Sequence, residues 1–199
     1  MRRVVLVASS ILVPAALSFV LGSSQAAARL TAGHPFTMAL TYTETNKGTD
    51  VGQTSTGIEG KGTISMRTSG LPAGVPATTF TKGGTYVVRY DIDSAGTYHG
   101  TMVVTVPLGS ICLVGVVKFG KYDPTAGTGF PPTSGTFTSA GGTGLGSRLF
   151  VTGLFKATKV TGAENTLLKV SFTGTSKVAL ASPKAPSRAC TSVAKLART

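Results

Sequence analysis

Residues 83–106 read GGTYVVRYDIDSAGTYHGTMVVTV, and their spacing decides the fold class. Tyr86, Val88, Tyr90 and Ile92 fall on one side of an extended chain, opposite Val87, Arg89 and Asp91. After Asp93-Ser94-Ala95-Gly96 the chain returns with Tyr98, Met102, Val104 and Val106 on one side and His99, Thr101 and Thr105 on the other. Side chains alternating in this way mark a strand with one buried face. Asp, Ser and Gly between two such runs supply turn chemistry. The stretch therefore reads as a β-hairpin.

The same period extends outward in both directions. Phe36, Met38, Leu40 and Tyr42 share a face opposite Thr37, Thr41 and Thr43. Gly57 to Thr68 is a weaker strand, with Ile58, Ile64 and Met66 in phase and glycines at 60 and 62 where bulk is expected. Those glycines predict a bend or bulge of the kind that closes a barrel. Ile111 to Phe119 is apolar on both faces, so it is expected to be covered on both, its outer side by a partner subunit or by the C-terminal tail. Strands follow at Gly135–Ala140, Ser147–Val160 and Thr166–Leu180, the last with Leu168, Val170, Phe172, Val178 and Leu180 in phase. Longer loops run from Thr45 to Thr56 and from Tyr122 to Ser134. The count of about eight strands, with no convincing helical period after the N-terminus, gives an all-β chain. An eight-stranded antiparallel barrel is expected, with a β-sandwich as the alternative.

Residues 138–150, TSAGGTGLGSRLF, raise a different question. A phosphate-binding loop requires G-x-x-x-x-G-K-[ST] or G-x-G-x-x-G between a strand and a helix, whose N-terminus holds the anion. Gly142-Thr143-Gly144-Leu145-Gly146 has neither spacing, and the residues after it alternate as a strand. A sharp corner between strands is the reading, because glycine tolerates positive φ and close approach.

The chain has 199 residues and begins with Arg2 and Arg3, an apolar stretch from Val4 to Leu21 and the small residues Ala26-Ala27-Ala28. Residues 1–28 read as a cleaved export signal, with a retained membrane anchor as the alternative. Secretion follows, with one barrel domain over 29–182 and a basic tail over 183–199. Without Arg2 and Arg3 there remain 17 Lys and Arg against 7 Asp and Glu, a net charge of +10. Such a charge attracts anionic polymers or cell surfaces, or serves solubility. The basic residues are scattered along strands and lack the interleaved aromatics of nucleic-acid binding, so no nucleic-acid partner is expected. Cys112 and Cys190 are the two cysteines. Outside the cell they are expected to form a disulfide that clamps the tail onto the barrel, with a buried Cys112 and an unpaired Cys190 on a mobile tail as the alternative. They and the lone His34 and His99 make no metal cluster, and no cofactor motif is present.

Candidates for chemistry are few. His99 falls on the polar face of its strand, and Ser110 lies outside any G-x-S-x-G elbow. Asp91 and Asp93 share a face, as an acid/base pair would, but also as a solvent-facing edge before a turn would. Tyr86, Tyr90 and Tyr98 are candidates to line an interior and orient an apolar guest through their hydroxyls.

Gly96-Thr97-Tyr98-His99-Gly100-Thr101-Met102-Val103-Val104, followed after an intervening strand by Phe137 to Ala140 and Gly141-Gly142-Thr143-Gly144, resembles the allene oxide cyclase and dirigent superfamily, with its Y-x-G strand and G-G-T/S-G turn. Tyr42-Thr43-Glu44-Thr45-Asn46 is similar to the first strand of the plant cyclases. The resemblance implies an eight-stranded barrel, often trimeric, whose apolar cavity steers a hydrophobic substrate by shape. It makes Tyr42 and Glu44 ligand-binding candidates beside the three tyrosines, with Glu44 the one catalytic candidate. After the turn the chain departs from the dirigent pattern: Leu145-Gly146-Ser147-Arg148 leads into Val151-Thr152-Gly153, and the arginines of that pattern are lost. The functions to be separated are a secreted barrel that binds a hydrophobic small molecule, a cyclase- or dirigent-like isomerase, and a non-enzymatic cationic envelope or matrix protein. An enclosed apolar cavity without inward charge favours the first. A tyrosine-lined cavity with an inward Glu44 or Arg89 favours the second, and a filled interior with a one-sided cationic surface the third.

Overall fold

The computed structural model describes residues 33–46, 49–51, 54–68, 73, 75, 83–120, 132–161 and 168–198. The export signal expected over residues 1–28 lies outside them. Strands β1 (His34–Asn46), β2 (Thr49–Val51), β3 (Thr54–Thr68), β4 (Gly84–Ile92), β5 (Tyr98–Val106), β6 (Gly109–Phe119), β7 (Pro132–Gly144), β8 (Leu149–Thr161) and β9 (Leu168–Leu180) are joined in the order β1-β9-β8-β7-β6-β5-β4-β3-β2. β1 also pairs with β3 along its length, Phe36 opposite Thr68 through Glu44 opposite Gly60. That pairing closes eight antiparallel strands into a barrel, and the short β2 adds to β3 outside the ring. Closure leaves no free edge in the ring, and the barrel expected from the sequence is the fold.

The hairpin of residues 83–106 forms as its alternation requires, with Tyr86 opposite Val104, Val88 opposite Met102 and Tyr90 opposite Gly100. These residues and Leu40, Ile64, Ile111, Val151, Val170, Phe172 and Val178 form the core inside the barrel. Glycines occupy the inward positions directly across from aromatic rings: Phe36 faces Gly174, Phe137 faces Gly153, Phe155 faces Gly135 and Tyr86 faces Gly62. A Cβ at Gly174, Gly153 or Gly135 would lie 2.6, 2.7 or 2.6 Å from the Cζ of Phe36, Phe137 or Phe155. Each ring lies across the bare backbone of its neighbour, so large and small residues alternate around a narrow interior. The bulge expected near Gly60 and Gly62 is at Gly57, where the register with β4 shifts, φ is +76°, and the N–H donates to Asp91 Oδ1 at 3.0 Å.

The glycine-rich segment is a corner. Gly142 to Gly144 still pair with the start of β6 through Gly109 opposite Gly144 and Ile111 opposite Gly142. One 3₁₀ turn, Leu145–Arg148, then leads straight into β8. No α-helix follows, so the geometry of a phosphate loop is not built. The glycines have a further use: the tail crosses them in extended form, with Gly142 N–H donating to Lys184 O at 3.0 Å, Lys184 N–H to Ser147 O at 2.7 Å and Ser187 N–H to Ala140 O at 3.2 Å. Gly141, at φ +97°, has the backbone of Lys184 and Ala185 where a Cβ would stand.

Beyond this crossing the tail forms α1 (Arg188–Lys195), with Ser187 Oγ accepting from Cys190 N–H at 3.3 Å as its N-cap. Cys190 is bonded to Cys112. Val87, Val103, Cys112, Cys190 and Val193 form a second buried cluster outside the barrel wall, flanked by Val114, Ala140, Ala194 and Leu196. This is why β6 is apolar on both faces: one faces the lumen and the other the tail helix.

Candidate functional site

The lumen holds two adjoining cavities, of about 40 and 70 Å³. Phe36, Met66, Leu113 and Phe137 line both. The walls are aliphatic and aromatic, with Ser176 the one polar side chain of the first and Tyr90 that of the second among the described residues. Among the described residues no charged side chain lines either one. Each cavity is smaller than the roughly 150 Å³ space that admits benzene in an apolar core. A guest of any size must therefore join them by displacing the residues they share. Met66, with Met38 and Met102 in the wall of the larger cavity, supplies unbranched, readily rotated side chains for this.

Of the tyrosines expected inside, Tyr86 is buried and its hydroxyl donates to Thr41 O at 3.0 Å, tying β4 to β1 across β3. Tyr90 is buried in the wall of the larger cavity. Tyr98 is half-buried, and Tyr90 and Tyr98 both pack on Phe119, with ring centroids 5.0 and 4.7 Å apart. The side chains of Tyr42 and Glu44 lie outside the described residues. Their backbones place Tyr42 opposite Gly62 and Leu168, and Glu44 opposite Gly60.

Arg89 points away from the lumen, with Nη1 3.6 Å from Glu59 Oε1 and Nε 3.2 Å from Asp91 Oδ1. Asp91 and Asp93 do not converge. Asp91 holds Arg89 and the Gly57 bulge, whereas Asp93 accepts from the N–H groups of Ala95 and Thr97, each at 2.9 Å, and meets His99 Nε2 at 2.8 Å. His99 first, and then the Thr97 N–H, hold the Asp93 carboxyl below its usual range. The pair is thus divided between a bulge clamp and a turn clamp. Ser110 shares a hydrogen bond with the Thr143 hydroxyl at 2.9 Å on the exposed corner.

The lumen residues that sequence reasoning missed are Met66 and Phe137 as shared walls. Phe137 lies between the inward Gly135 and Ser139, so β7 has no run of alternating apolar residues. The Phe–Gly facing pairs were the signal available.

Burial raises the pKa of Tyr90 far above the ordinary tyrosine value. Below about pH 10 the phenol is neutral in both folded and unfolded chains. Above that, the unfolded chain ionises and the folded one does not, so stability falls by about 1.4 kcal/mol per pH unit. Tyr90→Phe is expected to flatten this alkaline loss in urea melts at rising pH. An equal slope in wild type and variant rejects the buried phenol as its source.

Among the described residues no group of three or more His, Cys, Asp or Glu side chains gathers as a metal site would require. The arrangement can enclose an apolar molecule and offer it a hydroxyl. No family model, curated protein or solved structure matches the chain.

Proposed function

We propose that this protein is a secreted barrel that takes a small hydrophobic molecule into its lumen and holds it without turning it over. The observation that carries this reading is the pair of adjoining cavities whose described walls are apolar and uncharged and share Phe36, Met66, Leu113 and Phe137. Burying apolar area at about 25 cal/mol per Å² supplies the affinity, and the Tyr90 hydroxyl supplies a point of orientation. The resemblance of residues 96–104 and 141–144 to the cyclase and dirigent barrels supports the same class of guest. The disulfide is compatible with export. The isomerase reading has less support, because Arg89 and, among the described residues, the carboxylates Glu59, Asp91 and Asp93 are engaged outside the lumen.

The test uses the neutral fluorophore N-phenylnaphthylamine, with native mass spectrometry of the secreted protein to record any lipid carried along. Wild type is expected to brighten the probe. Met66→Phe, which fills space next to both cavities, is expected to weaken it roughly tenfold by excluding apolar contact. Phe137→Ala, which enlarges the same space, is expected to strengthen it. A wild type that neither brightens the probe nor carries lipid sinks the proposal, as does a Met66→Phe protein that binds unchanged.

A further inference from the structure

The outer face of β8 and β9 departs from the rest of the wall. Phe150 and Leu154 are exposed on β8, at 36% and 55%, two of the three large apolar residues exposed among the described residues. Register places Leu154 beside Thr175 and Thr136, and Thr152 beside Lys177. Lys156 faces Thr173, Lys159 faces Ser171 and Lys169 faces Thr161. Lys156, Lys159, Lys169 and Lys177 are all exposed, and Arg148 stands exposed at the base of β8. No ion pair forms with any of them among the described residues.

The described carboxylates lie elsewhere: Glu59 on β3, Asp91 on β4 and Asp93 in the following turn. In the ring order, β4 and β5 stand four strands from β8 and β9, on the far wall, while Glu59 on β3 lies two strands from β9 and is held by Arg89. The barrel thus presents one side on which cations surround exposed apolar side chains with no described acid beside them. We propose that this β8–β9 face docks onto an anionic phospholipid surface, the lysines meeting headgroups and Phe150 and Leu154 entering the interface.

Charge complementarity selects a negative partner, and the two apolar side chains select a lipid over a linear polyanion, which has nothing to receive them. A second copy of the chain on this face would set lysine against lysine. The inference is independent of what the lumen holds.

Co-sedimentation of the full secreted protein with vesicles tests it. Binding is expected to mixed phosphatidylcholine and phosphatidylglycerol and not to phosphatidylcholine alone. Lys156→Gln and Lys177→Gln are each expected to weaken it about fivefold, and Leu154→Ser roughly tenfold. Lys195→Gln, on α1 over the far wall of β4 and β5, changes it by about twofold or less, because exposed charges beyond a Debye length are screened. All four positions are exposed or half-buried on the surface, and unchanged thermal midpoints confirm folding. Equal binding to both vesicles overturns the proposal. So does a Leu154→Ser protein that binds like wild type while the lysine variants weaken, the signature of a polyanion site. Equal losses from Lys195→Gln and Lys156→Gln overturn it too, showing net charge and no face.

Discussion

Reducing the Cys112–Cys190 bridge, or replacing both cysteines with Ala, is expected to cost the fold about 4 kcal/mol. The bridge spans 78 residues, and closing a loop of that length in the unfolded chain removes entropy worth about 4 kcal/mol. For a domain of this size the thermal midpoint should drop by roughly 10 °C. The loss has a structural counterpart. α1 has eight residues and cannot hold its own shape in water. Its contribution is the cover that Cys190 and Val193 place over Val87, Val103 and Cys112. Once the bridge opens, the three backbone hydrogen bonds along Lys184 and Ser187 remain to hold the tail. Urea melts with and without reductant give the energy, and hydrogen exchange at residues 188–195 gives the location. Coincident melts would mean that the tail stays docked without its covalent tie and that the bridge does not set the stability.

The tail shows what parity in a sequence can and cannot reveal. Ile111 to Phe119, apolar on both faces, required an outer cover, for which a partner subunit and the tail both stood open, and the Cys112–Cys190 bridge brings the tail there. The helix itself was hidden. Its buried face consists of Cys190 and Val193, with Leu196 beyond them, three positions in a basic segment, too few to register as a period. The hairpin of residues 83–106 was legible because both strands alternate cleanly. β7 was legible only in part, since its last residues are glycines that pair through backbone alone, and its inward row reads Gly135, Phe137 and Ser139. The tyrosines of the lumen were found through their phase with neighbours. Met66 and Phe137 were not, because their importance lies in standing between two cavities, a fact of the closed ring and not of any one strand. Gly141 and Gly142 were read as a corner, as they are. Their second role, letting the tail pass at Lys184, depends on contacts more than forty residues away in the chain.

Gly153→Ala is expected to destabilise the barrel by about 3 kcal/mol, the upper end of what overpacking a tightly packed site costs. Its Cβ would stand 2.5 Å from Thr175 O and 2.7 Å from Phe137 Cζ, one a fixed backbone atom and the other the end of a wedged ring. Gly96→Ala makes the comparison, because there φ is +79° and nothing lies within 4 Å. Only backbone strain opposes it, about 1 kcal/mol. The usual ranking of glycine substitutions by dihedral angle is therefore inverted here: the glycine of ordinary φ is the costlier one to replace. If the ring over the bare backbone is the reason, shortening it should relieve the clash. Phe137→Leu with Gly153→Ala is then expected to cost about 1 kcal/mol less than the two single changes added together. Strict additivity would leave the Thr175 carbonyl as the sole obstacle and would remove the facing of rings and glycines from the account of how this barrel fills its interior.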